Sequence, residues 1–387
     1  MISTHSKSKA VKPMHIIKGA GDKVDIKSFT LPELEQWFSV ELNEDPHAAL
    51  RVFKQLWQKG ARSFDEMDTV NGRLQKRLQE TAVITFLEPK LVLRSADGTT
   101  KYLWTLRDGY TIESVLIPDG DRVTLCISSQ VGCAMACTFC LTGDLGLKRH
   151  LTPAEIANQP LQVGLQALNS GQRITNLVLM GMGEPLHNLD SLTVALKNCL
   201  HDNGLNFSHR RVTVSTVGLV PKMGELAARL PVNLAVSINA TTEEQRREIM
   251  PITKKYSLAQ LVQGCRDFPL PQGKSITFEY VMLGGFNDTV DDAARLFELL
   301  KGIRYKVNLI PYNENPERSL TKPPIERVKA FQHYFISRGE HCSIRTTRGD
   351  DISAACGQLG KAQAQARDNG WLAEARILAG LRADGGN

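Results

Sequence analysis

Between residues 123 and 338, short runs rich in Val, Ile, Leu and Thr alternate with segments of helical period, and this alternation limits the fold more than any other feature. The runs are RVTLCIS, ITNLVLM (174–180), RVTVSTV (211–217), VNLAVSI (232–238), SITFEYVML (275–283) and YKVNLIPY (305–312). Candidate helices lie near 153–168, 189–201, 221–229, 243–250, 257–267, 288–301 and 324–338. Strands separated by a helix cannot close as tight hairpins, so they pair in parallel. Six such units predict an α/β fold whose parallel sheet curls into a partial (β/α)6 barrel. Barrels of this kind gather their chemistry at the C-terminal ends of the strands. Gly181-Met182-Gly183-Glu184, Ser215, Ser237 and Asn313 all fall at such ends, so one pocket can draw on positions far apart in the chain.

The first strand ends at Cys126 and leads into GCAMACTFCLTG (132–143), which holds Cys133, Cys137 and Cys140 in a CxxxCxxC spacing. Three thiolates this close on a loop can converge on one face of an iron–sulfur cluster. With a fourth corner left open, such a cluster can bind a small molecule and do chemistry. A zinc site usually wants four protein ligands, and no second cysteine pair follows here. A disulfide framework belongs to small secreted chains rather than to one of 387 residues. Of the remaining cysteines, Cys199, Cys265 and Cys342 sit in runs that read as plain helix or strand.

Length allows one large core with smaller additions. We read 1–28 as a flexible tail carrying Lys7, Lys9 and Lys12, 29–88 as a small helical domain, and 89–122 as a β-hairpin extension with turns at Asp97-Gly98 and Asp119-Gly120. The barrel then spans 123–347, and 348–387 holds a loop with Cys356 and a tail. Arg51, Lys54, Lys59, Arg62, Arg73, Lys76 and Arg77 make the helical domain a candidate RNA-contacting module, although basic residues also simply solvate helix faces. The net charge of +6 fits a polyanionic partner without requiring one. No apolar run reaches the roughly 20 residues of a membrane span, and MISTHSKSKAVKP lacks an apolar leader core, so a cytoplasmic protein is expected.

The CxxxCxxC loop resembles that of the radical S-adenosylmethionine (SAM) enzymes. The wider chain, from about Thr30 to Leu359, is similar to the RlmN/Cfr family of radical SAM RNA adenine methyltransferases in the blocks LCISSQVGCAMACTFC, MGMGEPL, VTVSTVG, MPITKKY, EYVML, NLIPYN and TRGDDISAACGQL. The resemblance implies a 4Fe-4S cluster on Cys133, Cys137 and Cys140, whose open iron chelates SAM, and two SAM molecules per turnover. It implies SAM contacts at Gly183, Glu184, Ser215, Ser237, Ile238, Asn239 and Asn313, with Gly181 and Pro185 shaping the turn. Adenine carbon 2 or 8 has no lone pair with which to attack a methyl group, so a radical route is needed and the cofactor carries it. By the same resemblance, Cys356 is first methylated as a nucleophile. A radical from the second SAM then activates that methyl group, which adds to the adenine. Glu113 takes the ring proton, and Cys126 releases the product by forming a disulfide with Cys356.

The implied substrate is RNA, 23S ribosomal RNA, with transfer RNA left open as a second substrate, together with an electron donor such as flavodoxin and a monomeric enzyme. Two departures stand out. LTGDLGLKRHLT resembles the carbon-8 branch whereas MGMGEPL and TRGDDI resemble the carbon-2 branch, and Asn239 replaces the histidine usual in its block, as in a divergent paralogue. Carbon 2 is the preferred target. The readings left open are carbon-8 methylation, radical SAM chemistry on another RNA, a protein or a small molecule, and an RNA-binding protein with a structural metal centre.

Overall fold

Residues 23–169, 171–315 and 318–360 are described by the computed structural model of the chain. Most of the tail expected over 1–28, with Lys7, Lys9 and Lys12, lies outside these residues, as does everything beyond Gly360. The end of that expected tail is instead structured. Val24–Asp25 form β1, and Ile26–Ser28 make a 3-10 turn. What fixes this segment is burial: Ile26 and Lys27 are fully enclosed, and Lys27 Nζ donates to Asn158 Oδ1 at 3.0 Å.

Three helices follow, α1 (Leu31–Val40), α2 (Pro46–Trp57) and α3 (Gly72–Thr81). Each starts on a polar cap: Glu33 accepts from the Thr30 backbone N–H at 2.8 Å, Asp45 from His47 N at 2.9 Å and Asn71 from Leu74 N at 2.9 Å. Leu34, Phe38, Val52, Phe53, Leu56 and Leu78 carry the buried stripes. Ala82–Val83 form β2, which returns to pair in parallel with β1.

Strands β3 (Glu88–Arg94), β4 (Thr100–Thr105), β5 (Thr111–Asp119) and β6 (Arg122–Cys126) run antiparallel in succession. Asp-Gly pairs turn all three connections, with Gly98, Gly109 and Gly120 at positive φ. β7 (Gln130–Val131), the one-turn α4 (Leu141–Asp144) and β8 (Arg149–His150) frame the cysteine loop. The alternating series then proceeds as α5 (Pro153–Asn169), β9 (Asn176–Leu179), α6 (Leu189–Leu200), β10 (Val212–Thr216), α7 (Val220–Arg229), β11 (Asn233–Ser237), α8 (Glu243–Ile249), α9 (Leu258–Arg266), β12 (Ile276–Met282), α10 (Val290–Leu300), β13 (Tyr305–Pro311), α11 (Ile325–Ile336) and β14 (Cys342–Ile344).

One sheet of ten strands results, in the order β14-β13-β12-β11-β10-β9-β6-β5-β4-β3. From β6 to β14 it is parallel, and the antiparallel hairpins extend its other edge. The sheet stays open, as a partial barrel does. No described helix is long and apolar enough to cross a membrane.

The two faces of the parallel strands differ in chemistry. On β10 Val212, Val214 and Thr216 are buried while Thr213 and Ser215 are half-buried, and on β12 Ile276, Phe278, Tyr280 and Met282 are buried while Thr277 is not. With side chains alternating at period 2, the first set belongs to the helix-covered face and the second lines the lumen. The outer face is thus the hydrophobic core, and the lumen is polar.

Candidate active site

The loop between β7 and α4 curls back on itself. Ala136, between Cys133 and Cys137, takes a left-handed conformation (φ 50°). Cys140 N then donates to Cys137 O at 3.1 Å, and Thr138 N to Ile249 O at 3.0 Å. All three thiols open onto a cavity of about 160 Å³ at the C-terminal ends of the strands, which Glu184, Ser215, Ser237, Asn239, Asn313 and Cys356 also line. A larger groove of about 910 Å³, between the N-terminal unit and the hairpins, carries no thiol.

The cavity residues fit an iron–sulfur cluster. Among the described residues, no three His, Cys, Asp or Glu side chains converge as the ligands of a single ion would. A four-iron cluster is ligated at separate irons and wants its thiolates spread around a space. Burial pushes the Cys133 thiol up to about 12 and raises Cys137 and Cys140, and Cys140 and Cys133 push Cys137 further. Bonding to iron deprotonates such thiols and offsets their repulsion. Two arginines hold the surroundings. Arg246, buried, donates to Ile238 O at 3.1 Å, Thr253 Oγ1 at 2.8 Å and Val217 O at 2.6 Å. Arg318 donates to the carbonyls of Thr138 and Cys140.

The Gly181–Glu184 turn is stitched to the strand that precedes the cysteines. Gln130 N donates to Met182 O at 3.2 Å, and Glu184 N donates to Gln130 Oε1 at 2.8 Å. Gly183 sits at φ 103°, where a Cβ would lie 2.5 Å from Gln130 Cβ, so only glycine lets the two segments approach. Burial raises the Glu184 carboxyl to about 7, opposed by hydrogen bonds from Val217 N (2.9 Å) and Leu186 N (3.0 Å). A cationic ammonium group placed here would ionise it.

Asn239 lines the cavity just after β11, next to Ile238. Asn239 adopts φ 56°, its Oδ1 accepts from Val281 N at 2.8 Å and its Nδ2 donates to Met250 Sδ at 3.3 Å. Its amide fixes a strained backbone, a conformation asparagine tolerates better than most residues. The Ile238 side chain lies in the core, and its carbonyl is taken by Arg246.

Cys356 enters the cavity on a loop that many groups hold. Asn313 Nδ2 donates to Cys356 O at 3.1 Å, Leu141 N to Gly357 O at 2.8 Å and Thr142 Oγ1 to Leu359 O at 2.8 Å. The buried pair Lys101–Glu113 (3.6 Å) grips both ends, with Lys101 Nζ on Ser353 O at 3.0 Å and Glu113 Oε1 accepting from Gly360 N at 3.0 Å. Glu113 therefore lies behind the loop, not among the residues lining the cavity. Cys126 is buried at the end of β6. Burial and then the nearby Cys356 push its thiol up to about 12. All eight cysteines are free thiols. Arg345, just after β14, faces Cys356, Glu279 and Cys126, and these hold its guanidinium above the ordinary value despite burial. Lys101, Arg246, Arg318 and Arg345 went unnoticed in the sequence, where each reads as one more basic residue.

Comparison with known proteins follows the same lines. Residues 127–300 match the Radical SAM superfamily, and residues 24–84 match the ribosomal RNA large subunit methyltransferase N-terminal domain. The dual-specificity RNA methyltransferase RlmN of Geobacter sulfurreducens is 52% identical over 336 residues, covering 87% of this chain and 92% of that protein. Its counterpart in Pelobacter propionicus is 52% identical over 339 residues, 87% of this chain and 96% of that one. The crystal structure of a radical SAM methyltransferase from Sphaerobacter thermophilus superposes with a TM-score of 0.82 at 37% identity, over 87% of this chain and 99% of that one. The matched stretches take in the thiol loop, most of the parallel strands and the helical unit before them, and the chain belongs to the RlmN family of the radical SAM superfamily.

Proposed function

We propose that this chain is a radical SAM methyltransferase that methylates an adenine ring carbon of RNA, carbon 2 by preference, in 23S ribosomal RNA and also in transfer RNA, through a methylated Cys356. One observation carries the reading: Cys356 lines the same cavity as Cys133, Cys137 and Cys140. Cys133, Cys137 and Cys140 would hold a cluster that, with SAM bound, would supply the radical chemistry needed to take hydrogen from a methyl group on Cys356. Glu184, Ser215, Ser237 and Asn313 offer polar groups around the space where SAM would lie, and Gly183 lets the backbone approach. Cys356 is the proposed nucleophile that first accepts a methyl group, with the Arg345 guanidinium facing its sulfur as countercharge. Cys126 is the proposed resolving thiol: it is buried near Cys356, where it would attack the Cys356 sulfur of a covalent RNA adduct and form the disulfide that frees the product. Glu113 is the proposed proton acceptor, reached when the Gly360 contact opens.

The unit at 29–88, with its basic residues, is proposed to meet RNA, the strands of 89–122 to brace the loop of 348–360, and 123–347 to be the catalytic barrel. A cytoplasmic monomer reduced by a flavodoxin-like donor completes the reading. Mass spectrometry of ribosomal and transfer RNA from a strain lacking the chain tests it. A methyladenine should vanish and return on complementation, and its isomer separates carbon 2 from carbon 8. RNA unchanged at every nucleotide would remove the substrate assignment. A protein that binds iron anaerobically yet never cleaves SAM when reduced would reduce the site to a structural centre.

A further inference from the structure

Below the cysteine cavity the lumen continues into a second space of about 500 Å³. The two share Met180, Glu279 and Arg345, which form a septum. A small recess beside it is lined by Cys356 and shares Arg345 and Arg348 with the lower space. Inward positions of the lower layer are Thr124, Val178, Thr213, Thr277, Asn308 and Ser343. A closed (β/α)8 barrel fills this layer with branched apolar side chains. Here four hydroxyls and an amide outnumber the one valine around a cavity in the size range of ligand sites, about 300–1,000 Å³. At its mouth stand Arg122, Lys306 and Arg348. Arg348 is paired with Asp119 at 2.9 Å, whereas Arg122 and Lys306 have no carboxylate partner among the described residues. Against the septum, Asn308 Nδ2 donates to Glu279 Oε2 at 2.6 Å and Ser343 Oγ to Asn308 Oδ1 at 3.2 Å, which fixes the orientation of the amide.

We propose that this lower lumen is the nucleotide port: one nucleotide, flipped out of its RNA, enters from the face opposite the cluster, with Arg122 and Lys306 holding its flanking phosphates and Asn308 with Glu279 reading its base edge. The inference rests on the RNA reading above and specifies its site. A flipped base needs an enclosed polar pocket with charges at the rim for the backbone. An asparagine amide offers the donor and acceptor pair that adenine's edge complements. Entry from below keeps base and SAM on opposite sides of Cys356, so the sulfur's methyl group can face each in turn.

The test is the double variant Arg122→Ala/Lys306→Ala on the wild-type enzyme's own RNA substrate. KM for RNA should rise at least tenfold, with kcat at saturating RNA moving far less, and the slope of log affinity against log salt should fall by roughly 1.5–2. RNA carrying 8-azidoadenosine at the target position should photocrosslink to peptides of β12 or β13. An RNA-active wild type whose double variant keeps its KM and salt slope overturns the port alone, as do crosslinks confined to residues 24–84. A wild-type enzyme that methylates no RNA overturns the RNA reading and the port together.

Discussion

Two buried lysines, one ion-paired with Glu113 and one only near the Asp25 carboxylate, solve different problems. In the N-terminal unit, Lys27 and Asp25 sit at the junction with the barrel. Lys27 reaches Asn158 on α5 and lies 5.6 Å from the Trp57 ring, while Asp25 accepts from Lys27 N at 3.2 Å and Thr85 N at 3.3 Å. These contacts lie on α2, on α5 and in the 84–87 connection after β2, so the two residues fix one packed unit against another. Lys101 and Glu113 are equally buried, yet they reach Ser353 O and Gly360 N, the two ends of the loop that carries Cys356. Burying charge costs stability in both places and is repaid in position. What differs is whether the positioned object is a domain or a nucleophile.

The clamp matters only because of what it delivers. Cys356→Ala should abolish RNA methylation, a loss of at least about 10³-fold, while iron content and the visible absorption of the cluster stay as in the wild type. Methylation persisting at the normal rate would remove Cys356 from the chemistry. Cys126→Ala should accumulate a covalent protein–RNA adduct seen as a band of shifted mobility, and free product in full yield would dismiss the resolving role. Glu113→Gln keeps an acceptor for Gly360 N but no base, and should cost about 10²–10⁴ in rate, the range for a lost general base. A loss below tenfold would assign Glu113 to the clamp alone. Lys101→Met strands a buried carboxylate, so about 3–5 kcal/mol of local stability should go, together with methylation. The matching Lys27→Met should leave the methylation rate within about twofold, because its partners hold a domain junction. Equal losses of activity from both would erase the distinction.

This division was only half legible in the sequence. The strands and helices of the barrel were, because each run of Val, Ile and Thr keeps one face for the helices and the flanking Gly and polar residues mark its ends. Ser215, Ser237 and Glu184 were legible for the same reason, since a strand end in a parallel barrel points at the pocket. Lys101 was not: in KYLWTL it reads as the solvent-facing member of an alternation, whereas the Cys356 loop covers that face of β4 and buries it. Arg345 was hidden likewise, because the groups it faces, Cys126 and Glu279, lie on distant strands. The buried start at Val24–Ser28 was lost among polar neighbours, since a lysine in a short segment signals surface unless its partner, Asn158, is known. Local period reports which face is covered. It does not report a covering that arrives from the other end of the chain.

The smallest effect expected is a pH signature of the domain pair. Burial lowers the Lys27 ammonium from 10.5 to about 8. Below pH 8 the folded protein carries the full cost of the buried charge. Between 8 and 10.5 the native state releases its proton ahead of the unfolded chain, so the Lys27 contribution to stability rises with pH, by about 3 kcal/mol over the whole window. The buried thiols act in the opposite sense. Cys126 and Cys199 are raised from 9.0 to about 12, so native thiols keep protons that the unfolded chain loses, and stability falls as pH climbs through that range. The clean interval is therefore pH 8 to 9. There the melting temperature of the wild type should rise relative to that of Lys27→Met by about one degree, and parallel curves would mean that Lys27 is already neutral or still solvated at its junction.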